Sequence, residues 1–148
     1  MDAAVKTRTD EDEIRDLVAR WTKGAKTQDL EGVMALYTPD VVAFDAIMAL
    51  QFKGRDAYRK HWETCFTYMP SNSEMIWDMQ DLQVTVDQNL AYYHYVVRCG
   101  CVIDGVEKSG WMRGTGCCRR TKGKWLIAHE HTSSPFDPMS NQVINEAP

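Results

Sequence analysis

The chain has 148 residues, 44% apolar and 26% charged, the balance of a single soluble domain with room for a real core. Its net charge of −4 and pI near 5.5 argue against nucleic acid or an anionic membrane surface as partner. No apolar run approaches the ~20 residues that cross a bilayer, and the N-terminus MDAAVKTRTDEDE lacks the apolar stretch of a signal peptide, so a cytoplasmic location is expected.

Residues 1–9 read as a loose tail. From Asp10 to Lys26, Ile14, Leu17, Val18, Trp21 and Ala25 recur at three- and four-residue steps, the apolar face of a helix. The acidic cluster Asp10 to Glu13 suits the positive N-terminus of that helix. Asp29 is placed to cap a second helix running to Tyr37, which Thr38-Pro39-Asp40 would end. The run from Val41 to Ala46 reads as a strand with Asp45 near its end. A third helix is expected from Arg55 to Tyr68, with Tyr58, His61, Trp62, Cys65 and Phe66 on its buried side.

Four strands follow without a helix between them: Met75–Val86, Leu90–Ile103, Glu107–Thr121 and Lys124–Ser133. Turn signals separate them at Asp87-Gln88-Asn89, Asp104-Gly105 and Lys122-Gly123. Connections this short make antiparallel neighbours. The order places helices on one face of a strongly bent antiparallel sheet, an α+β cone. The segment from Phe136 on, polar with two prolines, reads as partly ordered. One domain over 10–138 is expected, with tails at 1–9 and 139–148.

Within the last hairpin, alternation puts Trp111, Arg113, Thr115 and Cys117 on one face and Met112, Gly114, Gly116 and Cys118 on the other. The returning strand splits into Leu126, Ala128, Glu130, Thr132 against Trp125, Ile127, His129, His131. Five cysteines without zinc or redox spacing read as small buried thiols. His129 and His131 could supply two metal ligands, but no spaced set supplies a third, and no metal or cofactor is expected.

The stretches DLEGVMALYTPDVV, VAFDAIMALQFKGRDAYRKHW, DLQVTVDQNLAYYHY and WMRGTG…GKWLIAHEHTSSPFD together resemble the SnoaL-like, ketosteroid-isomerase-related branch of the nuclear-transport-factor-2-like superfamily. The resemblance implies a cone-shaped barrel of bent antiparallel sheet wrapped around three N-terminal helices, with a pocket at its open end, commonly as a homodimer joined through the outer sheet face. Trp125 and Ile127 would supply apolar contacts there. Fold alone does not give function, since this superfamily hosts isomerases, cyclases, dehydratases and plain binding modules.

By the resemblance, Asp45 falls where the isomerases carry the carboxylate that shuttles a proton. Apolar surroundings beside Phe44 suit a general base; the alternative is a carboxylate held by a neighbour or by backbone N–H groups. The isomerases' oxyanion donors are missing: their tyrosine falls at Trp21, and their aspartate at Thr115 or Gly116. The resemblance also turns His94 and Tyr92 toward the pocket, and the ungapped alignment turns Arg113 and Thr115 the same way. Glu130 would face inward, and a strand bulge could turn His131 in as well. An Arg113–Glu130 ion pair bridged to His94 and Asp45 could be structural or could bind an acid or enol-like ligand. Tyr37, Trp62 and Trp111 would line an apolar pocket with Trp21. Asp45, His94 and Arg113 are therefore the catalytic candidates, as base, partner acid and oxygen-polarising cation, acting on a small carbonyl-type molecule by isomerisation, cyclisation or dehydration. The alternative is a non-catalytic ligand-binding or dimerisation module.

Overall fold

Helix α1 spans Asp10–Lys26, and Ile14, Leu17, Val18, Trp21 and Ala25 are all buried along one stripe. A capping box fixes its start: Thr9 Oγ1 accepts from the Asp12 N–H at 3.1 Å, and the Asp12 carboxylate accepts from the Thr9 N–H at 3.0 Å. This computed structural model describes residues 7–148, so the expected 1–9 tail lies largely outside the described residues, and Thr9 belongs to the helix cap.

Helix α2, Leu30–Met34, is capped by Asp29. It is shorter than the sequence predicts, because strand β1 already begins at Tyr37 and runs to Phe44 through Thr38-Pro39-Asp40. The register of β1 breaks between Tyr37 and Val42, so the missing N–H of Pro39 falls in the irregular stretch. Strand β2, Phe52–Lys53, and helix α3, Arg55–Thr67, follow. Four long strands complete the sheet: β3 (Ser73–Asp87), β4 (Leu90–Ile103), β5 (Val106–Thr121) and β6 (Lys124–Ser133). At two of the connecting turns, Asp104-Gly105 and Lys122-Gly123, both residues have positive φ, the geometry of tight primed hairpins.

The strand order is β2-β1-β6-β5-β4-β3. Pairing is antiparallel except between β1 and β6, which run parallel, since β1 reaches β6 across a long connection rather than a hairpin. Three expectations are corrected here. The sheet is mixed rather than wholly antiparallel. It is open rather than a closed barrel, with β2 at one edge and β3 at the other. The helices do not form an N-terminal block of three, because α3 follows β1 and β2.

The expected C-terminal tail carries a two-stranded hairpin, β7 (Phe136–Asp137) with β8 (Gln142–Val143). The Trp111 N–H donates to the Asn145 carbonyl at 2.9 Å, on the stretch of β5 beyond the last β6 pairing, Arg113 with Ser133.

One bulge decides which side chains face the core. Cys118 pairs with Ile127 and Cys117 with His129, leaving Ala128 as an extra residue in β6. Trp125 and Ile127 therefore share the inner face with Glu130 and Thr132, while His129 and His131 turn outward. Trp125 and Ile127, expected on an exposed dimer face, are 5% and 0% exposed. On β4 and β5 the inner face carries Tyr93, Tyr95, Gly114, Gly116 and Cys118. A Cβ at Gly114 would lie 2.3 Å from the Tyr95 ring, and one at Gly116 would lie 2.2 Å from Tyr93, so these glycines let the two tyrosines lie flat across β5.

Candidate functional site

A cavity of about 200 Å³ opens between the inner sheet face, α1 and α3. Trp21, Trp62, Phe66, Met69, Met75, Trp77 and Met112 make most of its wall, and Asp45, Tyr58, His61, Glu130 and Thr132 bring polar groups to it. This volume is below the ~300–1,000 Å³ of sites for drug-sized ligands. The residues lining it include neither Lys nor Arg.

The polar groups are joined in one chain. The Trp21 indole N–H donates to the Tyr37 hydroxyl at 2.7 Å, and that hydroxyl donates to Glu130 Oε1 at 2.7 Å. The Tyr58 hydroxyl lies 2.7 Å from the same Glu130 oxygen and 2.9 Å from Asp45 Oδ2. His61 Nε2 is 3.2 Å from that Asp45 oxygen. Secondary structure sets these positions. Tyr58 and His61 are one turn apart on α3, so their side chains meet on one face, and their rings stack at 5.7 Å. Asp45 follows the end of β1, and the Ala128 bulge delivers Glu130 from β6.

Burial without a cation shapes the electrostatics. Desolvation pushes the Glu130 carboxyl up to about 7; the hydrogen bonds from Tyr58 and Tyr37 oppose this, and the Asp45 charge adds to it. Burial, followed by the nearby Glu130 charge, holds the Tyr37, Tyr58 and Tyr93 hydroxyls well above the usual phenol range. Both tyrosines touching Glu130 are therefore neutral. Cys65 lies 3.6 Å from His61 Nε2, but burial, then the Asp45 charge, raises its thiol, which opposes a thiolate nucleophile.

Of the sequence-predicted residues, Asp45, Trp21, Trp62 and Glu130 line the cavity, and Tyr37 stands directly behind Glu130. The others lie elsewhere. Tyr92 and His94 alternate with the buried Tyr93 and Tyr95, which puts them on the outer sheet face, exposed. Trp111, Arg113 and Thr115 alternate with the inner Met112, Gly114 and Gly116 and share that outer face. Arg113 donates to Ser133 Oγ at 3.2 Å, and the expected Arg113–Glu130–His94–Asp45 network does not form. The bulge is present, but it turns Glu130 inward and leaves His131 outside, against Phe44. His129 Nδ1 meets the Val42 carbonyl at 2.6 Å. Among the described residues, no group of three or more His, Cys, Asp or Glu is placed to hold a metal, and no helix is long and apolar enough to cross a membrane.

Tyr58 and His61 are the functional candidates that sequence reasoning missed. Their three-residue spacing on the buried side of α3 was visible, but nothing in it showed that this side faced Asp45 rather than packed core.

A family model for the SnoaL-like domain matches residues 14–137. Among solved structures, a nuclear-transport-factor-2-like protein of unknown function from Pseudomonas putida KT2440 is 39% identical, with 93% of this chain and 95% of that chain covered at a TM-score of 0.86. A nuclear-transport-factor-2-like protein with a cystatin-like fold from Novosphingobium aromaticivorans is 22% identical, over 84% of this chain and 80% of that chain, at a TM-score of 0.72. A proposed dehydratase of the nuclear-transport-factor-2-like family from Streptomyces avermitilis is 14% identical, over 88% of this chain and 100% of that chain, at a TM-score of 0.75. No protein of curated function matches.

Proposed function

The chain belongs to the SnoaL-like domain family, and from that premise we propose that its cavity binds a small neutral carbonyl compound and moves a proton on it, with Asp45 as general base. The observation that carries this is a carboxylate opening into an apolar cavity, its Oδ2 positioned by the Tyr58 hydroxyl and His61. The Asp45 side chain is 20% exposed, enough to meet a ligand, while the His61 side chain behind it is 4% exposed. A base held this way abstracts the proton on a carbon next to a carbonyl, the first step of isomerisation, aldol-type cyclisation or dehydration. Dehydration, the activity proposed for the Streptomyces protein of similar fold, falls in the same reaction class.

The absence of a lining Lys or Arg sets the substrate's charge. An organic anion would meet two carboxyl groups with no counter-charge, a costly arrangement in an apolar cavity. The ligand is therefore neutral, of the size of one or two fused rings, and its oxygen meets neutral donors. Tyr58 and His61, rather than His94 and Arg113, are the side chains that position Asp45.

A second reading is a binding module with no chemistry. It is favoured by Glu130, whose Oε1 already lies 2.7 Å from each of two tyrosine hydroxyls, as in a purely structural network. Native mass spectrometry of protein from its own host identifies any bound species, and turnover by wild type and Asp45→Asn separates the two readings. A neutral cyclic carbonyl compound bound by both forms and converted only by wild type supports the base. An empty protein, or a ligand left unconverted by both forms, supports the binding module.

A further inference from the structure

We propose that Asp45 and Glu130 hold a single proton between them through the Tyr58 hydroxyl, which makes Glu130 the acid partner of the base. The geometry demands a shared proton. Tyr58 has one hydroxyl hydrogen but lies within hydrogen-bond distance of two carboxyl oxygens, at 2.7 and 2.9 Å. One hydrogen satisfies one contact; the other needs a proton on the carboxyl group. Two ionised carboxylates around one neutral phenol, with neither Lys nor Arg among the residues lining the cavity, would leave one contact a bare oxygen–oxygen repulsion. One proton on either carboxyl satisfies both contacts, and because His61 Nε2 also meets Asp45 Oδ2 at 3.2 Å, the proton is placed on Glu130, which donates to the Tyr58 oxygen while Tyr58 donates to Asp45. Tyr37 supplies the further donor that Glu130 Oε1 accepts.

Every element packed around Glu130 agrees with this placement. Tyr37 faces it from β1, Tyr58 from α3 with His61 beyond, Asp45 from the end of β1, Tyr93 and Tyr95 from β4, and Cys118 from β5. None is a lysine or an arginine, and His61 pairs with Asp45. Both carboxyl groups line the same cavity.

The inference deepens the proton-transfer reading, on which its catalytic meaning rests. The substrate C–H bond breaks and its proton passes to Asp45, while Glu130 gives its proton to the carbonyl oxygen, turning the ketone into its enol. The pair then resets: Tyr58 gives its hydrogen to Glu130 as it takes the proton from Asp45. Nothing is oxidised or reduced, and water need not enter.

Carboxyl carbon NMR on glutamate-labelled protein tests the shared proton without substrate, so its failure is separate from failure of the catalytic reading. Glu130→Gln assigns the signal. In wild type one glutamate should titrate at about 7. Asp45→Asn removes a like charge and should lower that midpoint by about half a pH unit or more, and Tyr58→Phe removes the hydroxyl that joins the two carboxyl groups. In Tyr58→Phe, adding Asp45→Asn should move the midpoint less than it does alone. A Glu130 signal in the ordinary glutamate range, or one unmoved by Asp45→Asn, overturns the proposal. Backbone amide spectra confirm folding of each variant, and if Tyr58→Phe does not fold, the Asp45→Asn comparison decides alone.

Discussion

The two faces of the same sheet use their polar side chains in opposite ways. On the outer face Arg98 bridges Asp78 and Glu107 at 2.7 and 2.8 Å, with all three at least a third exposed. Charges there are paired with opposite charges and screened by solvent, so each counts for little. On the inner face Glu130 and Asp45 share a neutral tyrosine in a cavity of indole, thioether and phenyl groups. Neither Lys nor Arg is among the residues lining that cavity, and burial raises the Glu130 carboxyl. The proposed chemistry uses the second arrangement, where burial keeps the Glu130 carboxyl from being locked in its charged form.

This contrast breaks most visibly in the packing. Ile127 is fully buried on the inner face, and Ile127→Ala should cost about 2–5 kcal/mol in urea unfolding. Thr115→Ala, on the exposed outer face, should stay within about 0.5 kcal/mol. Equal effects would mean that the bulge does not divide the faces as described.

Next comes pH. The Glu130 carboxyl is raised from 4.5 to about 7 on folding, so the folded state holds its proton more tightly than the unfolded state does. Its contribution is fully present below about pH 4.5 and is lost as pH rises through about 7. The loss is of order 3 kcal/mol at most. Glu130→Gln should flatten that part of the stability–pH curve and gain on wild type at pH 8. A wild-type curve that falls as steeply in Glu130→Gln would place the titration elsewhere.

Tyr37→Phe should cost about 1–3 kcal/mol, since it leaves the Trp21 N–H unpaired in the core. It also removes one donor to Glu130 and so raises that carboxyl further, visible in the same titration. The smallest effects belong to His94→Ala and Arg113→Ala, expected within about 0.5 kcal/mol of wild type with ligand affinity unchanged.

The limits of β4 and β6 were legible to the residue, because turn residues such as Lys122-Gly123 bracket strands of strong alternation. Strand β1 was not: Pro39 signals a helix end locally, and only its place beside an irregular stretch of β6 shows why it sits in a strand. Asp45 and Glu130 could be singled out as an unusual acid near a strand end and an acid amid apolar alternation. Their true partners could not, since Tyr58 and His61 look like any buried helix residues until the sheet brings Glu130 to them. The faces of β4 and β5 were inverted for a related reason. Alternation sorts residues into two sets but does not say which set is inside, and here two glycines under Tyr93 and Tyr95 mark the inner one. On β6 a single extra residue, Ala128, breaks the alternation, and nothing in its sequence announces a bulge.

The measurement that tests the central claim most directly is exchange of the α-carbon protons of 2-tetralone into deuterated buffer, followed by proton NMR with wild type, Asp45→Asn and His94→Ala side by side. The account predicts catalysed exchange by wild type and His94→Ala, with a fall of about a hundredfold or more in Asp45→Asn. Catalysed exchange that survives Asp45→Asn but is lost in His94→Ala would put the chemistry on the other face of the sheet and contradict it.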